Sequence, residues 1–133
     1  MLFRSANREA LAKALAKGDI DAGVNAYIDS LSGPGAHLRI APERRQIVLD
    51  NIGTALKTEG RPPTTCADLT TFNFPVLLMN GERSPARYPA MYAAMRRCRD
   101  FPVPVVIPGA AHNMHRDNPA AFNSAVLKFL ASH

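Results

Sequence analysis

Val103–Pro119 reads VPVVIPGAAHNMHRDNP, and this stretch decides the fold class. It opens with Val103, Val105, Val106 and Ile107, a short β-branched run suited to a buried strand. Pro108 and Gly109 end the run and turn the chain. His112 then stands on the loop just past the strand's carboxyl end. Asn118 is placed to cap a final helix, with Pro119 at its first position. Strand, histidine loop and helix in this order put an imidazole where open parallel sheets bind ligands.

Upstream of this stretch the pattern alternates. Phe74–Met79, FPVLLM, is an apolar run of strand length, and Asn80-Gly81 follows as a turn. Ser84 and Pro85 suit the start of a helix reaching about Arg99, with Tyr88, Met91, Tyr92 and Met95 as its buried stripe. In the last helix Phe122, Val126, Phe129 and Leu130 face inward. The second half is therefore a βαβα unit, whose two strands are parallel through a right-handed crossover. Apolar parallel strands expect cover on both faces and neighbours at both edges, and two strands alone leave edges open.

No strand pattern occurs before residue 70. Asn7–Lys17 has one apolar face, and Gly18 is a natural stop. Asp19 is placed to cap a second helix running to about Leu31. Ser32–Ala36, SGPGA, breaks the chain, and Pro42 opens a third helix with Ile47, Val48, Ile52 and Leu56 as its stripe. Glu59–Asn73, with Pro62-Pro63 and many small polar residues, reads as a crossing loop. The expected division is 1–66, helical, and 67–133, βαβα; the fold class is α/β with a helical first half.

The 133 residues suit one modest core, and 47% hydrophobic with 20% charged residues is ordinary for a globular chain. The net charge of +5 is scattered. Its densest groups, Arg44-Arg45 and Arg96-Arg97 with Arg99, lie in expected helices without interleaved aromatics, so they read as solvated faces and not a nucleic-acid footprint. Cys66 and Cys98 have no metal or redox spacing and are expected to be free thiols in a reducing compartment. No apolar run reaches a membrane-spanning length, and MLFRSANREA lacks a signal peptide's apolar core, so a cytoplasmic protein is expected. His112 and His115 have His-x-x-His spacing but no third ligand, and no phosphate loop occurs, so neither metal nor cofactor is expected. His37 and His133 are read as uninvolved.

FPVLLMNGERSP, Phe74–Pro85, resembles the penultimate core strand of the α/β-hydrolase fold family and the turn after it. VVIPGAAHNMHRDNPAAFNSAVLKFL, Val105–Leu130, is similar to that family's last strand, catalytic-histidine loop and closing helix. The first half resembles the family's helical cap. The resemblance implies that His112 is the catalytic histidine, a general base toward a nucleophile and then an acid toward the leaving group. Two features depart from the family pattern. No Gly-x-Ser-x-Gly elbow is present. The position three residues beyond Gly81, where the family often has aspartate, holds Ser84; Glu82 is the nearby carboxylate. The resemblance thus implies a C-terminal fragment of an ester- or lactone-type hydrolase, acting on a small-molecule substrate only when completed by a missing core half, and inert alone. The alternative is a non-catalytic interaction module associating through its strand edges, with a second copy as one partner.

Overall fold

Helical spacing, caps and glycine breaks set the first half. The protein is described by a computed structural model covering residues 6–56 and 64–133, and the chain divides between Pro63 and Thr64 into two compact units. In the first, α1 is Ala6–Ala16, α2 is Ile20–Ser32 and α3 is Pro42–Leu56. Gly18, at φ 75°, adopts the left-handed conformation that ends α1 without a Cβ clash. Asp19 caps α2, its carboxylate accepting the Ala22 N–H at 2.9 Å. Gly23 lets the two helices close, since a Cβ there would lie 3.1 Å from Leu11 Cδ1.

Val24, Ile28 and Ala36 are buried with Ile40, Val48, Leu49 and Ile52 packed on them. The stripe expected on α3 needs one correction. Ile47 is exposed and Leu49 packs in its place, because a face centred on Val48 and Ile52 takes the residue after Val48 and turns out the one before. Arg45, expected on a solvated face, instead donates to Asp21 and Asn25 on α2, adding polar ties between the two helices. The SGPGA break is closed by Asp29. Its carboxylate accepts the backbone N–H of Gly35 at 3.0 Å and of His37 at 2.8 Å, and engages His37 Nδ1 at 2.8 Å. Burial opposes ionisation of Asp29, but these bonds outweigh it and hold the carboxyl below its usual range.

The second unit begins with a helix where a loop is expected. Thr65 and Asp68 form a reciprocal capping box, and α4 follows over Cys66–Thr70. The expected crossing loop up to residue 63 lies outside the described residues. Five elements follow: β1, Met79–Gly81; α5, Arg87–Cys98; β2, Val105–Ile107; α6, Met114–Asp117; and α7, Pro119–Ala131. β1 and β2 are parallel, with Met79 opposite Val105 and Gly81 opposite Ile107. A mixed α/β architecture with a two-stranded parallel sheet is thus present, most of the chain being helical.

The strands are shorter and shifted relative to the apolar runs. Asn80-Gly81 does not turn the chain but completes β1. A Cβ on Gly81 would strike the carbonyls of Ala110 and Ala111, so glycine here serves close strand–loop approach. Ser84 does not cap α5, which starts at Arg87 after Ala86 with no side-chain cap; the Ser84 N–H closes a turn onto the Gly81 carbonyl at 2.9 Å. Asn118 does cap α7, accepting the Ala121 N–H at 3.1 Å, with Pro119 first in the helix. Leu130, expected inward, is exposed.

The core of this unit joins Leu69, Leu78 and Phe101 to Phe72, Val76, Tyr92 and Met95. The expectation of free thiols is overturned: Cys66 and Cys98 are disulfide-bonded, their Cα atoms 5.0 Å apart. The missed helix α4 explains the error. It brings Cys66 to the end of α5, a proximity that spacing along the chain does not reveal. Beyond this core, Val103, Val105 and Val106 leave much of their surface exposed.

Candidate active site

The turn after β1 and the loop after β2 grip one another, and His112 stands at their end. Glu82 N–H donates to the Ile107 carbonyl at 3.0 Å and Arg83 N–H to the Ala110 carbonyl at 2.7 Å. The Arg83 guanidinium donates to the Gly109 carbonyl. Gly109, at φ 66°, turns its N–H onto Glu82 Oε2 at 2.7 Å. On the other side, Ala111 N–H donates to Asp117 Oδ2 at 2.7 Å, and Asn118 Nδ2 to the Pro108 carbonyl at 3.0 Å. Nearly every polar backbone group from Ile107 to Ala111 is thereby engaged from β1's turn, α6 or the α7 cap.

The His112 ring stacks on Tyr88 of α5, centroids 5.6 Å apart and planes at 21°. Arg87 lies over the Tyr88 ring, its Cζ 4.6 Å from the centroid, with Nη2 donating to Tyr88 Oη at 3.1 Å. His112 is exposed by surface area, yet its neighbours still withdraw water from the ring. That desolvation, then the Arg87 and His115 charges, hold its pKa below the usual 6.5. The neutral, basic imidazole is therefore the form present at neutral pH. Neither ring nitrogen has a hydrogen-bond partner among the described residues.

The structure brings His112 together with few of the groups weighed beside it. Glu82 bonds the Gly109 N–H and Asp117 the Ala111 N–H, and neither is hydrogen-bonded to the imidazole. His115 packs its ring edge against Phe122, 6.0 Å between centroids, and joins no metal cluster; no group of three metal-ligating side chains occurs among the described residues. His37 pairs with Asp29 in the other unit, and His133 packs on Phe129. The spacing pattern gave no sign of Tyr88 and Arg87 as neighbours of His112, because Tyr88 reads equally as core. Asp117 could have been suspected, as a carboxylate just before an Asn-Pro helix start. A cavity of about 360 Å³ exists in this unit, but His112 does not line it. No protein-family model, curated protein or solved structure matches the chain. No helix among the described residues is long and apolar enough to cross a membrane.

Proposed function

We propose that the chain is the C-terminal part of an α/β-hydrolase-like enzyme, with 6–56 as cap-like helices and His112 as its general base. The observation that supports this is the parallel pair β1–β2 followed by a histidine loop fastened to the turn after β1. In that role one His112 nitrogen serves the nucleophile, serine or aspartate, taking the proton of the hydroxyl in the serine case as it attacks an ester or lactone carbonyl. The imidazolium then gives the proton to the departing oxygen, and the same nitrogen activates water for the second half-reaction. The small-molecule substrate, the nucleophile and the acid that would steady the imidazolium belong to a missing core half. The compartment remains part of this proposal. The reading as a cytoplasmic protein loses its thiol argument, since a paired Cys66–Cys98 fits an oxidising compartment better.

Purified chain should hydrolyse p-nitrophenyl acetate no faster than an equal concentration of free imidazole, without a burst. A stoichiometric burst, or a rate abolished by His112→Ala, contradicts a chain that lacks its nucleophile.

A second reading draws on the exposed valines of β2 and Phe74, 54% exposed. On that reading the chain is a non-catalytic module that pairs through its open strand edges, with a second copy as partner.

A further inference from the structure

Among the described residues, no hydrogen bond ties α4 to β1, α5 or β2. Every bond from Thr65 to Phe72 closes within that span: the Thr65–Asp68 box, Thr70 Oγ1 onto the Ala67 carbonyl, Thr71 Oγ1 onto the Asp68 carbonyl, and the Phe72 N–H onto the Leu69 carbonyl. What holds the helix to the core is apolar or covalent. Leu69 is buried with Leu78 and Phe101, and the Phe72 ring meets that of Phe101 edge-on, centroids 6.2 Å apart. Cys66 is bridged to Cys98, the last residue of α5. A helix of five residues does not sustain itself in water, and one leucine with one half-buried ring offsets little of the entropy lost in ordering it. The bridge is the tie that keeps α4 in place.

Cys66 is exposed while Cys98 is half-buried, so a thiol in solution reaches the bridge at Cys66. We propose that Cys66–Cys98 is a redox switch: reduction by a small dithiol releases α4 and uncovers Leu78 and Phe101, while β1, α5 and β2 stay folded. A thiolate of the dithiol attacks Cys66 Sγ, the S–S bond breaks, and Cys98 leaves as a thiolate that takes a proton. The second sulfur of the dithiol then attacks the mixed disulfide, and Cys66 leaves in the same way. Two electrons and two protons have passed to the chain, and the dithiol has become a cyclic disulfide. With α4 in place Leu78 is 7% and Phe101 2% exposed, so its release changes an apolar face from covered to open. The other elements keep ties of their own. The strands pair directly, Tyr92 Oη donates to the Met79 carbonyl at 2.7 Å, and Arg96 Nε donates to the Phe101 carbonyl at 3.0 Å. No residue of the His112 loop takes part, so the switch is independent of the hydrolase reading.

The test is NMR on the full chain when oxidised, after reduction with dithiothreitol without denaturant, and after reoxidation with oxidised glutathione. On reduction the NOEs from the Leu69 methyls to Leu78 and Phe101 should fall about tenfold, while exchange of the Val105 and Glu82 amides changes less than about twofold. Reoxidation should restore the NOEs, and Cys66→Ser with Cys98→Ser should match the reduced chain under oxidising conditions. Persistent Leu69 NOEs in the reduced chain would make the bridge a static brace and overturn the proposal. Loss of protection at Val105 and Glu82 together with the NOEs is unfolding of the whole unit and overturns it too, as does a bridge that dithiothreitol leaves intact. If the double variant fails to fold, reduction and reoxidation of the unmodified chain decide alone.

Discussion

His112 has an aromatic face on one side and a cationic field beyond it, with no carboxylate among the described residues bonded to it. Its titration midpoint, read from the ring proton by NMR, should lie below 6.5. Arg87→Gln should raise it without restoring the ordinary value, because desolvation is the larger cause and remains. A midpoint above 6.5 would point to an anionic partner instead. The sign carries into stability. Between the folded midpoint and 6.5 the unfolded chain binds the proton more readily, so acidification through that window weakens the fold. Above 6.5 both states are neutral there and His112 contributes no slope. Tyr92 works in the opposite sense for its own proton: burial, and then the charge of Tyr88, raise its pKa and keep the hydroxyl available to donate to the Met79 carbonyl at 2.7 Å.

At the scale of elements, the disulfide links the first helix of the second unit to the end of α5. Closing that loop restricts the unfolded chain, and Cys66→Ser with Cys98→Ser should lower the unfolding free energy by about 3 kcal/mol in urea melts. A change below about 0.5 kcal/mol, well under the range expected of a native bridge, would show that the thiols are not joined in solution. The same region shows what the sequence conveyed. Helices with an apolar stripe and a clear stop were legible: Gly18, Asp19, Pro42 and Asn118-Pro119 stand where chain chemistry puts them. The parallel strand pair was legible from two apolar runs around a helix. The helix α4 was not, since a five-residue helix is held by its caps and one buried leucine, Leu69, and shows no period. Strand ends were misplaced for a related reason. Gly81 reads locally as a turn, and only the approach of Ala110 and Ala111 makes it a strand residue. For the site, the position of His112 was legible, whereas Tyr88 and Arg87 reach it through a tertiary contact that no spacing encodes.

Over the whole molecule, two strands of three residues each are a small sheet, and both valines of β2, Val105 and Val106, remain exposed. Edges of that kind invite pairing. Light scattering behind size exclusion separates the two readings. A hydrolase fragment should elute as a monomer giving way to heterogeneous aggregates as concentration rises, whereas a defined dimer across the concentration range favours the interaction module. Both readings rest on β1 and β2 lying side by side in parallel with the His112 loop fastened beyond them. Cross-strand NOE spectroscopy on labelled chain tests this most directly. The account predicts contacts linking Met79 with Val105 and Gly81 with Ile107, with slow hydrogen exchange at the Val105 and Glu82 amides. Contacts pairing Met79 with Ile107, or no cross-strand contacts and freely exchanging amides, would contradict it.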